Sequence, residues 1–297
     1  MSYARRRSPH APRPCSPARM TLVAAGATGA GNLVLALAPG AARHLGRVNF
    51  HGRTVSLRGG LGAAAGAVTA GARLWRACAA PARPALAAVV ATAAAGGAGL
   101  LDDLDQGAHD GPSPAKGLRG HLRALARGRV TTGVVKVAVI GSGALVGGVL
   151  LARGRGGSPV ATAVDAAGSA VVIASWANLL NLLDLRPGRA AKAAVVVCLP
   201  LLAGSAGASR LLASGALGTA AATLPEDLME RTMLGDTGAN ALGALVGTAL
   251  AAHPCRLLRA VVAGTATALV LASERVSFTQ VIESTPLLDA LDRCGRL

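Results

Sequence analysis

Residues 131–152, TTGVVKVAVIGSGALVGGVLLA, and residues 158–180, SPVATAVDAAGSAVVIASWANLL, contain one charged residue each, Lys136 and Asp165. A helix that crosses the hydrocarbon core needs about 20 mostly apolar residues at a rise of about 1.5 Å each, and both stretches are that long. Outward from this pair, comparable runs lie at 21–40, 57–73, 84–101, 190–208, 211–224, 237–253 and 257–273. The pattern predicts an all-α, polytopic integral membrane protein of about nine to ten transmembrane helices. A basic, disordered tail (1–20) would precede a membrane domain (21–274), and a C-terminal segment (275–297) would follow it.

Composition agrees. Of the 297 residues 52% are hydrophobic and 15% charged, with a mean hydropathy of +0.49, which excludes intrinsic disorder and argues against an ordinary soluble domain. The formal charge of +16 would suggest nucleic acid in a soluble protein, but only 2% of residues are aromatic and the basic residues sit between apolar runs. No nucleic-acid partner is expected, and membrane-flanking Lys and Arg account for the balance. Cys15, Cys78, Cys198, Cys255 and Cys294 form no C-x-x-C pair, so they predict neither a disulfide framework nor zinc. No cleavable signal peptide is evident, because the stretch from Thr21 to Gly40 can itself span. The apolar runs are rich in Ala, Gly and Val. Close helix packing and a coding bias both explain that richness.

The positions of the acids organise the chain. Of the 14 Asp and Glu, the first 101 residues hold none; Asp102, Asp103, Asp105 and Asp110 come next, then Asp184, then Glu226, Asp227, Glu230 and Asp236, then Glu274, Glu283, Asp289 and Asp292. Two apolar runs separate consecutive groups, so the chain returns each time to one face, and Asp165 alone lies elsewhere. Sixteen Lys and Arg map to the acidic face and eight to the opposite loops, which predicts that the acidic face is cytoplasmic. The five arginines of the tail vote the other way, so either the tail is translocated or the helix count is off by one.

Carboxylates at a membrane face beside Lys and Asn are what a Mg²⁺ and phosphate site requires, since Mg²⁺ takes one or two carboxylates and completes its shell with substrate phosphate. Three segments fit: Leu101-Asp102-Asp103, Asn178-x-x-Asn181-x-x-Asp184, and Gly235-Asp236-Thr237-Gly238. On a helix, residues 178, 181 and 184 share a face. Read singly, each segment is also an ordinary helix end with polar caps.

In order and spacing these pieces resemble the polyprenyl-phosphate sugar-1-phosphate transferases, the superfamily of phospho-N-acetylmuramoyl-pentapeptide transferase and the N-acetylglucosamine-1-phosphate transferases. The resemblance also takes in Asn49-Phe50-His51-Gly52-Arg53-Thr54-Val55 leading to Gly59-Gly60, Lys116-Gly117-Leu118, and Gly235 to Gly243, and so spans about residues 45 to 250. It implies a fold of around ten spans with a cytoplasmic cleft in the plasma membrane, and transfer of a sugar-1-phosphate, an N-acetylhexosamine by class, from a UDP-sugar to polyprenyl phosphate with release of UMP. Membrane lipid is a further partner, and a homodimer is allowed. By the same resemblance Asp236 matches the Mg²⁺ ligand, Asp102 the base or nucleophile, and Asp103 and Asp184 further catalytic carboxylates. Asn178 and Asn181 match polar groups beside them, and Lys116 or Lys136 would bind phosphate.

The chain departs from the family in two places. Where the family reads Asp-Gly-x-Asp-Gly, this chain reads Asp184-Leu185-Arg186-Pro187-Gly188, so Pro187 replaces an acid associated with the nucleotide base. Proline has no side-chain acceptor and no backbone N–H. The family's C-terminal histidine-rich loop is missing, since no histidine follows His253; Arg275, Gln280 and Arg293 are the candidates to replace it. His121 lies in a basic stretch that reads as an interfacial loop near lipid head groups or substrate phosphate. Lys136 reads singly as a snorkelling helix-end lysine. Two alternatives stand beside the transferase: an altered paralogue that binds polyprenyl phosphate or an envelope-assembly partner without sugar transfer, and a transporter, which would need carboxylates near the bilayer midplane.

Overall fold

The structure, a computed structural model, describes residues 16–38, 40, 44–77, 82–105, 117–203 and 207–296. The chain runs through α1 (Pro17–Ala36), β1 (Gly46–Val48), β2 (Thr54–Ser56), α2 (Arg58–Ala77), α3 (Ala82–Asp105), α4 (Gly117–Ala126) and α5 (Thr132–Arg155). It continues through α6 (Pro159–Leu183), α7 (Arg189–Ala203), α8 (Ala208–Leu228), α9 (Gly235–Ala251), α10 (Arg256–Ser273), α11 (Phe278–Ser284) and α12 (Pro286–Arg293). The fold is mostly helical. Several helices start on caps legible in the sequence. Ser16, Thr131 and Ser158 each accept the N–H three residues on, and Pro17 and Pro159 occupy first-turn positions where no N–H is required.

The nine apolar runs correspond one for one to α1, α2, α3 and α5 to α10. Four of these, α3, α5, α6 and α10, are long and apolar enough to cross a membrane, which marks the chain as a membrane protein. Among the others, α7 and α9 have only 15 and 17 residues. Three of the four turn large apolar side chains outward: Val137, Leu145 and Val146 on α5, Val160, Val164 and Val171 on α6, and Leu257, Val261, Leu269 and Leu271 on α10 are all exposed. Such a belt is costly against water and satisfied against lipid.

The core is built around α9, whose residues are all buried except Asp236. It is flanked by α2, α3, α6 and α8. Glycines permit this closeness. A methyl group added at Gly60 would run into the Leu234 carbonyl, and one at Gly99 into the Asp236 carbonyl. In lipid, where hydrocarbon solvates apolar side chains as well as protein does, close packing of this kind is a main source of cohesion between helices.

Two ends result. At one end lie the finish of α3, α6 and α8, the start of α9, and α11 with α12; at the other, Asp165 pairs with Arg155 and Arg259, at 2.9 Å in the second case. Asn32, late in α1, donates to Glu226 at 2.7 Å. The acidic end therefore lies at the finish of α1, and α1 begins at the opposite end. The all-α expectation holds, with one small addition that the sequence did not predict. Residues 46–56 form a two-stranded antiparallel hairpin, with Arg47 opposite Val55, because the Asn49 side chain organises the turn by accepting the N–H of His51 at 3.0 Å and of Arg53 at 2.9 Å. The basic stretch read as a loop around His121 is helical, as α4.

Candidate active site

Three chain segments meet at the N-terminal end of α9. A helix begins with N–H groups that have no partner inside it, and here carboxylates from two other helices meet them. Asp103, near the end of α3, accepts the N–H of Asp236 at 3.1 Å, the N–H of Thr237 at 2.9 Å and the Thr237 hydroxyl at 2.6 Å. Asp184, which closes α6, accepts the N–H of Gly235. Gly235 has φ 57°, in the left-handed region, and a Cβ there would press on Leu57 and on the Asp103 carboxylate. The Leu-Asp-Asp, Asn-x-x-Asn-x-x-Asp and Gly-Asp-Thr-Gly segments are thus brought together by the capping of one helix.

Lys136, one turn into α5, points into this cluster. Its Nζ lies 2.6 Å from Asp236 Oδ2 and 3.0 Å from Asp102 Oδ2. The lysine side chain is 13% exposed, whereas Asp102 and Asp236 are 27% and 31% exposed, so both carboxylates keep an open side. Thr132 also hydrogen-bonds Asp102. Asn240, one turn into α9, donates to the Asp236 carbonyl at 2.6 Å, while its Oδ1 is buried with no hydrogen-bond partner among the described residues. Near one ammonium stand the carboxylates of Asp102, Asp103 and Asp236, with Asp184 beside Asp103 and Asp236, a local excess of negative charge. Burial, followed by the negative charges of Asp227, Asp236 and Asp103, holds the Asp184 carboxyl well above the usual carboxylate range, against the pull of the Gly235 N–H.

The remaining expected residues fall around this centre. Asn178 and Asn181 sit half-buried on α6, and neither side chain has a hydrogen-bond partner among the described residues. His121 packs over Gly133 and bonds the Thr131 hydroxyl at 2.9 Å, which ties α4 to the start of α5. Lys116 lies outside the described residues. Arg293 pairs with Asp289 on its own helix.

Beside the cluster is a cavity of about 330 Å³, lined by the hairpin, the Asp184-to-Pro187 turn and the α8–α9 turn. Phe50 forms one wall, with the Arg186 guanidinium 3.2 Å from its ring centroid. Glu230, at φ 52°, anchors the hairpin through Asn49 at 2.5 Å and His51 at 2.9 Å. Asp227 sits in the cavity wall and accepts the Gly188 N–H at 2.9 Å; burial is the main reason its carboxyl is raised to about 6.

Sequence reasoning gave no separate role to Asp227, Asn240 or Arg47, whose guanidinium donates to the Asp103 carbonyl. It also missed a clasp over the α6–α7 turn. Arg189 donates to both carboxylate oxygens of Asp292, at 2.8 and 2.7 Å, and Arg296 donates to Asp292 and, at 2.9 Å, to the Pro187 carbonyl. The available signal for the clasp was an Arg-x-x-Lys helix start and an acid-rich C-terminal stretch, with nothing local to pair them. Comparison with protein-family models, with curated proteins and with solved structures finds no match.

Proposed function

We propose that this chain transfers a sugar-1-phosphate from a UDP-sugar to polyprenyl phosphate in a Mg²⁺-dependent reaction that releases UMP and supplies cell-envelope glycan synthesis. The resemblance favours an N-acetylhexosamine. The carrying observation is the convergence of Asp102, Asp236 and Lys136 at the start of α9, next to a cavity whose volume of about 330 Å³ suits a small polar ligand. In this reading nine or ten helices cross the plasma membrane and the acidic end is cytoplasmic.

The donor set fits Mg²⁺. Among the described residues no three His, Cys, Asp or Glu side chains form a complete metal cage. Asp102 and Asp236 present hard, partly open carboxylate oxygens, however, and Mg²⁺ characteristically draws its other ligands from substrate phosphate and water. Asp236, with Asp102, would hold the ion, which when bound neutralises diphosphate charge.

The chain's own residues have separate tasks. Lys136 binds phosphate and offsets the repulsion between two anionic substrates. Asp102 takes the proton of the lipid phosphate or attacks phosphorus first. In the direct route the lipid phosphate oxygen bonds to the sugar-bound phosphorus as the bond to the bridging oxygen breaks and UMP leaves with the electron pair; in the covalent route the Asp102 carboxylate displaces UMP in the same way, and the lipid phosphate oxygen then displaces Asp102 from phosphorus. Asp103 and Asp184 fix the start of α9 and with it the direction of Asp236. Asn178 and Asn181 offer unspent hydrogen bonds to the substrate.

The test is UMP release by the purified chain given polyprenyl phosphate, Mg²⁺ and a panel of UDP-sugars. Activity with one sugar, lost reversibly on EDTA and lost in a folded Asp236→Asn variant, is the expected result; activity retained in either condition removes Asp236 from the metal role. Pro187 favours a second reading, since it lines the cavity and its carbonyl is already taken by Arg296. Silence with every sugar from a folded chain that binds polyprenyl phosphate supports the non-transferring paralogue.

A further inference from the structure

The last helix is turned the wrong way for a surface helix in water. Of the residues of α12 only Asp292 is buried, while Leu287 is 71% exposed, Leu291 54%, and Leu288 is exposed as well. A helix resting on a protein in water does the reverse, setting its leucines against the core and its acids in solvent. At about 3.6 residues per turn, positions 287, 288 and 291 fall within about 100° of one another, and Asp289 and Arg293 lie on the opposite side. Those two pair at 2.9 Å, with Arg293 73% exposed. α12 thus carries an apolar face, a charged face across from it, and Asp292 between the two, fastening it to the protein.

Its partners set the level at which it is held. Arg189, the first residue of α7, donates to Asp292 and also to Thr279 of α11 at 3.0 Å, and Arg186 pairs with Glu283 of α11 at 2.7 Å. Both arginines belong to the turn that follows Leu183, where α6, one of the four helices able to span a membrane, finishes. α12 is therefore fixed where a spanning helix leaves the hydrocarbon. The path to it is apolar too. Leu269 and Leu271 at the end of α10 are exposed, and Val276 and Val281 after them are exposed as well, so the belt of α10 continues onto the C-terminal helices.

We infer that α12 lies in the lipid–water interface of the bilayer, with Leu287, Leu288 and Leu291 among the acyl chains beneath the head groups and the Asp289–Arg293 face in water. A helix this short does not hold its shape alone, and the Asp292 clasp supplies the order that lipid contact then exploits. Because Arg296 joins Asp292 to the Pro187 carbonyl, the same seat ties one wall of the cavity to the membrane surface. The bilayer contact is independent of whether sugar is transferred.

The test uses the full chain in phosphatidylcholine vesicles, with Cys15, Cys78, Cys255 and Cys294 replaced by serine and the buried Cys198 left in place. A nitroxide is attached in turn to Leu287→Cys, Leu288→Cys, Leu291→Cys and Arg293→Cys, and its relaxation is measured with oxygen, which concentrates in lipid, and with a water-soluble nickel chelate. Oxygen should dominate at 287, 288 and 291, at depths of about 5–10 Å below the head groups, and nickel at 293. Nickel access at 287 and 291 equal to that at 293 places the helix in water and overturns the inference. Shielding of 287 and 291 from both reagents overturns it in favour of a protein surface or a second copy of the chain. The wild-type chain gives a second measurement that no variant can spoil. A phosphatidylcholine with a diazirine on its acyl chain should label residues 287–291, and labels on α10 without labels there overturn the placement.

Discussion

Replacing Asp292 by alanine should destabilise the chain far more than an ordinary surface change. Arg189 and Asp292 are each 5% exposed, joined by two hydrogen bonds of 2.8 and 2.7 Å, and Arg189 makes a third to Thr279 at 3.0 Å. Removing the carboxylate leaves the Arg189 guanidinium buried without its counter-charge, whereas Arg296, 16% exposed, is nearer to water. Breaking such a buried pair from one side costs about 3–5 kcal/mol. At roughly 2–4 °C per kcal/mol, the unfolding temperature should fall by about 6–20 °C. Replacing both partners with apolar residues, Arg189→Met with Asp292→Leu, removes the stranded charge and should recover at least about 2 kcal/mol of that loss. Cys198 makes the measurement direct. Its side chain is 0% exposed in the fold, so a thiol-reactive dye labels it only on unfolding, once Cys15, Cys78, Cys255 and Cys294 are serine. A change below about 0.5 kcal/mol for Asp292→Ala, the range of ordinary surface substitutions, would refute the burial argument.

Other perturbations separate the roles of the site residues. Asp103→Ala removes the acceptor for two N–H groups and a hydroxyl at the start of α9; it should cost about 1–2 kcal/mol in the same thiol assay and lower UMP release by a larger factor, because Asp236 loses its orientation. Asp227 is held at about 6, so between about pH 4 and pH 6 the folded chain keeps a proton that the unfolded chain releases, and stability should fall as pH rises through that window. Asp227→Asn should flatten that slope and leave the chain more stable than wild type near pH 7; an unchanged slope in thermal unfolding from about pH 4 to pH 7 would count against burial as the cause. Gly60→Ala should lose folded protein, as judged by size-exclusion chromatography after extraction, while Gly26→Ala, with nothing within 4 Å of its added methyl, should not.

Much of the fold was legible because a membrane helix declares itself locally. A run of apolar residues of sufficient length needs no knowledge of its neighbours, and the runs at 131–152 and 158–180 became Thr132–Arg155 and Pro159–Leu183. The hairpin and the short helices α11 and α12 escaped because each rests on partners distant in sequence, as when Glu230 fixes the Asn49 turn or Arg189 binds Thr279 and Asp292. The carboxylates were found from their place at helix ends and their three-residue spacing. Their division of labour was not legible. That Lys136 turns inward and Asp103 caps α9 depends on how α3, α5 and α9 are set against one another, and glycine contacts such as Gly99 on Asp236 determine that setting.

The burial of α9 has a consequence for how the protein is made. This helix touches almost no lipid, and the elements that enclose it, α2, α3, α6 and α8, all precede it in the chain. Its binding place therefore exists before the ribosome delivers it. Gly235 to Ala251 need not be apolar enough to partition into lipid unaided, because helices already inserted can receive them. Translocation machinery would meet α9 as a guest with a prepared host. The charged site at its mouth would come into being only at that late docking step, so an incompletely assembled intermediate would carry the separate carboxylates without the arrangement that joins them.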